Sequence, residues 1–117
     1  MEKIHIREYN VTPIKENRDE LTIIIDENSV NYNNQIIKNT QIISEIIEIF
    51  NQNFDNIKCI SDKKLENSKG GRQKSITILN NDKKYILIGN TSDKESIELY
   101  IALKNQVFTK LKNILNF

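Results

Sequence analysis

The sequence predicts an α+β fold in which an antiparallel β-sheet of about six strands carries two helices on one face, in the order βββα-βββα. Three observations predict it. β-Branched runs of strand length recur at hairpin spacing, as in ELTIIID and SITIL. Two segments, 40–54 and 92–116, place apolar residues three and four apart, the period of a helix with one buried face. Strands precede a helix twice, an order that suits helices gathered on one side of an antiparallel sheet.

A chain of 117 residues fits one α+β domain, residues 1–117, with a core large enough to need neither disulfides nor a structural metal. Ile, Asn and Lys supply 22, 17 and 14 positions, a bias that fits an A- and T-rich gene, so no single asparagine is read as a clue. The net charge of +1 hides a split. Residues 1–58 hold six basic and ten acidic side chains, and residues 59–117 hold eleven and six. Such a dipole can steer the molecule toward a charged partner. Cys59 is the sole cysteine, which excludes an internal disulfide and a cysteine zinc cluster. No cofactor fingerprint is present, so no cofactor is expected. No apolar run reaches the length of a signal peptide or of a membrane span of about 20 residues, and the expected location is cytoplasmic, with no membrane partner.

Taken in order, Lys3 to Val11 alternates, with Ile4 and Ile6 on one face and Lys3, His5, Arg7 and Tyr9 on the other, as in a half-buried strand. Thr12-Pro13 begins a loop that the polar run Lys15 to Glu20 completes. Glu20 to Asp26 reads as a central strand. Asp26-Glu27-Asn28-Ser29 turns the chain into a weaker third strand, Val30 to Ile37, with an interruption at Asn33-Asn34. Thr40 caps a helix whose face is Ile42, Ile43, Ile46, Ile47, Phe50 and Phe54. Asn56 to Ser61 reads as a short strand in which Ile57 and a buried Cys59 share a face, and Asp62 to Lys74 as a basic, glycine-containing loop. Ser75 to Leu79 then pairs with Tyr85 to Ile88 across a turn of about four residues. Ser92 and Glu95 have the spacing of a capping box, opening a helix that runs to about Asn116, roughly 33 Å long. An offset of 54 sets Ile43 on Ile97, Ile47 on Ile101 and Phe54 on Phe108. The halves therefore read either as a pseudo-repeat or as two independent hairpin-and-helix units.

Few residues carry chemistry. His5, the sole histidine, shares its face with Lys3 and Arg7, which lower its basicity; it reads as a solvated strand residue. Asp26 and Glu27 read as turn acids. No catalytic or metal-binding residue is assigned. The segment KKLENSKGGRQK holds five cations and one acid. There Gly70-Gly71 would admit a phosphate to the backbone and Arg72 would fork onto it, with Lys63, Lys64, Lys69 and Lys74 around it. It lacks the G-x-x-x-x-G-K-[ST] pattern of a P-loop, and a solvated loop is the competing reading. On the last helix Ile97, Tyr100, Ile101, Val107, Phe108, Leu111, Ile114 and Leu115 form a broad apolar face that extends toward Phe117. Lys104 falls inside it, either snorkelling or marking where the helix leaves the core. A helix longer than the strands would project its last turns, so Lys104, Phe108, Leu111, Ile114 and Leu115 are candidate contacts with a protein partner or, in a homodimer, with a second copy.

The stretch LNNDKKYILIGNTSDKESIELYIALKN resembles the hairpin-and-helix segment of a small phage-encoded anti-CRISPR family that occupies the DNA-binding surface of its target nuclease. The matching features are NND at the turn, an aromatic opening the return strand, and ESI near the helix start before an aromatic and a KN. The resemblance covers about a quarter of the chain and transfers no functional residue. Small bacterial toxin-immunity proteins are similar in size and general appearance. Together these imply a non-enzymatic protein-binding module, of the inhibitor or immunity type, from a phage or bacterial conflict system, with a nuclease or toxin as partner. Nucleic-acid binding through Lys63–Lys74, or a structural or assembly role in a phage particle, are the alternatives.

Overall fold

The structure, a computed structural model, describes residues 1–11 and 20–115. The loop expected over Thr12-Pro13 and Lys15 onward, and the helix end at Asn116 and Phe117, lie outside the described residues. Among those described, six strands and three helices follow one another: β1 (Lys3–Asn10), β2 (Glu20–Asp26), β3 (Val30–Tyr32), β4 (Gln35–Ile37), α1 (Thr40–Gln52), α2 (Phe54–Asp62), β5 (Arg72–Asn80), β6 (Lys83–Ile88) and α3 (Lys94–Leu115). The α+β class and the antiparallel sheet are as expected. The order is not βββα-βββα, because a third helix is present and the strands divide four and two.

All neighbouring strands run antiparallel in the order β4-β3-β2-β1-β5-β6, with β1 at the centre between β2 and β5. The register sets Ile4 between Ile25 and Ile78, and Ile6 between Ile23 and Ile76. These six isoleucines are all buried and form the sheet side of the core. Phe50, Ile46, Ile57, Leu103, Val107 and Leu111 close it from the helices.

Asparagines do much of the local shaping. β3 and β4 are joined by Asn33 and Asn34, both at positive φ, and β5 and β6 by Asn81 and Asp82, also both at positive φ. Two left-handed residues in a row make the type I′ turn, whose twist matches that of the flanking strands. The interruption expected at Asn33-Asn34 is therefore a hairpin turn, and the second hairpin turns on two residues rather than four. Both helix caps sit one residue away from the expected position, the first earlier and the second later. Asn39, not Thr40, accepts from the Ile42 amide at 3.0 Å, and Asp93, not Ser92, accepts from the Ser96 amide at 3.0 Å.

The segment expected to be a strand at Asn56 to Ser61 is helix α2. Its buried residues are Ile57 and Ile60, three apart, and Cys59 is exposed rather than buried. α1 and α2 meet at Asn53, whose side-chain amide donates to the Ile49 carbonyl at 2.7 Å. α2 then turns against the outer edge of β6. Phe54 meets Tyr85 edge-on at 5.0 Å, and the outward amide of Ile86 donates to the Ser61 hydroxyl at 3.0 Å. Ser96, at the start of α3, donates its hydroxyl to the Ile88 carbonyl. Two serines thus satisfy backbone groups that an edge strand would otherwise offer to another chain.

α3 crosses the strands instead of running along them. Ser96 touches β6, Tyr100 and Lys104 reach β1, and Phe108 packs edge-on against Tyr32 of β3 at 6.2 Å. Twelve residues of helix rise about 18 Å, and the four strand spacings from β6 to β3 add to about 19 Å. The agreement explains the helix length: it spans the width of the sheet. Val107 and Leu111 are buried, and Phe108, Ile114 and Leu115 pack partly against the core. The described apolar end of the helix therefore packs on its own chain, fully at Val107 and Leu111 and in part at Phe108, Ile114 and Leu115. The halves also fail to match at the offset of 54, since Ile43 is buried and Ile97 is not, while Ile101 lies in solvent.

Candidate binding surface

Three helices cover one face of the sheet; among the described residues the opposite face is largely open. One row of side chains crosses all six strands on that open face. Ile36 of β4 stands beside Asn31 of β3, then Ile24 of β2, His5 of β1, Thr77 of β5 and Ile86 of β6. The ends are the most solvated apolar residues of the row, Ile36 at 61% and Ile86 at 40% exposure. Parallel rows place Thr22, Arg7 and Ser75 on one side, and Asp26, Lys3, Leu79 and Lys84 on the other. The alternation in β1 that puts Ile4 and Ile6 in the core is what turns Lys3, His5, Arg7 and Tyr9 outward.

Arg7 is held rather than free. Its Nε donates to Glu20 at 2.8 Å and its guanidinium lies 4.1 Å from the centre of the Tyr9 ring. A stacked Arg and Tyr presented on a rigid central strand are the side chains that most often anchor protein interfaces. His5 titrates below the ordinary histidine range, because burial, Lys3 and Arg7 disfavour its charged form against a smaller opposing effect of Glu20. The imidazole is therefore neutral near pH 7, as its neighbours in the sequence suggested.

On the covered side, one charged cluster joins distant parts of the chain. Glu8 occupies the next inward position of β1 after Ile4 and Ile6, and is buried. Its carboxylate accepts from Lys104 Nζ at 2.6 Å, the Tyr100 hydroxyl at 2.6 Å and Arg72 Nε at 3.0 Å. Burial pushes the Glu8 carboxyl up, but the hydrogen bonds from Lys104, Tyr100 and Arg72 outweigh it and hold the pKa at about 2. Burial and the adjacent carboxylate push the Tyr100 hydroxyl up, so it stays protonated and donates. Tyr100 reaches the sheet because Gly89 has no side chain; a Cβ there would lie 2.6 Å from the ring and 2.8 Å from the Lys74 Cβ.

The basic loop does not converge on one point. Lys63 ends α2 and bridges to Asp93 at 2.9 Å and Glu95 at 3.4 Å, tying α2 to the start of α3. Arg72 and Lys74 belong to β5, Arg72 on Glu8 and Lys74 opposite Glu8 in the register. Lys64 and Lys69 are exposed, and Gly70 and Gly71 both take positive φ to lead the chain into β5. Of the helix candidates, Lys104 meets Arg72 at Glu8, while Phe108, Leu111, Ile114 and Leu115 belong to the core or its margin. Sequence reasoning missed Glu8 and Tyr100. The available signal was parity: Glu8 continues the inward series of Ile4 and Ile6, and Lys104 interrupts an apolar helix face. Two charges in apolar positions can be satisfied by each other.

Among the described residues, no helix is long and apolar enough to cross a membrane, and no group of three or more His, Cys, Asp or Glu is placed to hold a metal ion. No protein-family model matches the chain, and no curated protein matches it in sequence.

Proposed function

We propose that the chain is a non-enzymatic protein-binding module of the inhibitor or immunity type, and that it binds its partner through the open face of the sheet. The observation that carries this reading is the row from Ile36 through Ile24 to Ile86, which crosses all six strands on the face opposite the helices. Beside it stand the Arg7–Tyr9 stack and the cations Lys3 and Lys84. Isoleucines spaced across a mixed row, with aromatic and arginine anchors and flanking cations, supply residue types found in specific protein interfaces. The sheet supplies a preorganised platform, so little conformational entropy would be lost on docking. The resemblance of residues 79–105 to part of a nuclease-inhibiting phage family supports the same class of partner.

The test is capture from a lysate of the cells in which the chain is expressed, with the wild type and two surface variants as baits. Ile24→Lys with Ile86→Lys alters the open face, and Gln52→Lys with Gln106→Lys alters the helical side. One defined protein should be retained by the wild type and the helical-side variant and lost by the open-face variant. Equal retention by the open-face variant would refute the surface assigned here.

A further inference from the structure

Two lysines stand over a part of the open face where neither is engaged in an ion pair among the described residues. Lys3 of β1, Leu79 of β5 and Lys84 of β6 form one cross-strand row, and His5 and Thr77 form the next. These five residues line a shallow cavity of about 230 Å³. Two strand spacings separate the backbones of Lys3 and Lys84 by about 10 Å, within reach of two flexible four-carbon arms that meet above Leu79. The neighbouring acid, Asp26, is turned to its own loop. Its Oδ1 accepts from the amides of Asn28 and Ser29, each at 2.8 Å, and no ion pair engages Lys3 or Lys84 among the described residues. The floor is of different character. Leu79 is apolar, and His5 Nε2 is enclosed without a hydrogen-bond partner, so the imidazole would offer its ring surface and not that nitrogen.

We propose that this cavity binds a small phosphate-bearing molecule, with the ammonium groups of Lys3 and Lys84 on the phosphate oxygens, the Thr77 hydroxyl as a further donor, and Leu79 and the His5 ring beneath the organic part. A phosphate dianion matches two ammonium groups that no ion pair occupies, one of them opposite Asp26, whereas a carboxylate or chloride matches one. The volume exceeds that of a bare anion, which leaves space for an apolar body on the floor. The site does not rest on the protein-binding reading, since a small ligand needs only these five side chains.

His5 is the only histidine, so its ring Cε1–H proton gives a single resolved NMR signal in the full chain. The groups that set its titration are Lys3 and Arg7 on its own strand and Glu20 on β2. An anion held by Lys3 would oppose the first of these and raise the His5 pKa toward its ordinary value. The experiment titrates the protein with phenyl phosphate, and separately with sodium chloride at matched ionic strength. The proposal expects a saturable shift of the His5 signal with phenyl phosphate alone, at a dissociation constant of about a millimolar. Lys3→Ala and Lys84→Ala should each weaken it roughly fivefold or more. Both side chains are exposed, so the remaining amide spectrum should report an unchanged fold. A shift that fails to saturate, that chloride reproduces, or that survives in the double variant overturns the site.

Discussion

Glu8 stands at a position of β1 that the preceding Ile4 and Ile6 assign to the core, and its charge persists there because three donors from two distant elements meet it. Its folded pKa of about 2 lies below the ordinary value of 4.5. A depressed carboxyl stabilises the fold in full above the unfolded pKa and loses that contribution as pH falls from about 4.5 toward about 2. The contribution is on the order of 3 kcal/mol. Glu8→Gln keeps the shape but leaves Lys104, 22% exposed, and Arg72 without their carboxylate. Urea unfolding at pH 7 should show a loss of about 2–4 kcal/mol, and the variant should lose much less stability than the wild type between pH 5 and about pH 2.5. An unchanged acid profile would remove Glu8 from this role. Gly89→Ala tests the same cluster from its other side. The new Cβ would overlap the Tyr100 ring and the Lys74 Cβ, so a destabilisation of about 2 kcal/mol or more is expected. Glu8 was legible in principle, since strand parity marks it as buried. Its partners lie 64, 92 and 96 residues away, and only the tertiary fold brings them together.

Hairpins and helices were legible to different degrees, and the difference follows from what specifies each. The apolar patterns of β1, β2, β5 and β6 require one buried face, so their existence could be read from the chain, as could the β5–β6 pairing, whereas the place of β1 between β2 and β5 could not. The turns could be placed but not typed, because the abundance of asparagine hid the four hairpin residues that take positive φ, three of them Asn. Their left-handed conformation gives a direct test. Asp82→Gly should stabilise the β5–β6 hairpin by about 0.5 kcal/mol or leave it unchanged, while Asp82→Val should cost about 1–2 kcal/mol. α2 was misread as a strand because Ile57 and Cys59 are two apart, whereas the residues that matter are Ile57 and Ile60. A nine-residue segment holds too few apolar positions to separate the two periods. Its Ser61 covers the β6 edge, and Ser61→Ala should cost about 1 kcal/mol in thermal or urea unfolding by leaving the Ile86 amide without its partner.

At the scale of the molecule, the uneven charge of the two halves is partly consumed inside the fold. Glu8 of the first half binds Arg72 and Lys104 of the second, and Glu45 pairs with Lys110 at 3.9 Å. The split that sequence alone offered as a steering dipole is in part the record of which halves touch. The long helix shows the same lesson. Strand length alone predicts a helix that projects beyond the core, but it crosses the sheet, and its later turns lie over β3 and against α1. Leu111→Glu should therefore unfold or severely destabilise the chain, by about 3 kcal/mol or more. A folded monomer from that variant would restore the interface reading of the helix end. With the helices committed to one side of the sheet, the open side is the surface through which we propose that the chain binds its partner. The most direct measurement places a photo-crosslinking amino acid at Ile36, at Ile86 and, on the helical side, at Gln106, and irradiates each protein in a lysate of the expressing cells. The account predicts one discrete protein adduct from positions 36 and 86 and none from 106. An adduct from 106 alone, or none from either open-face position, would contradict it.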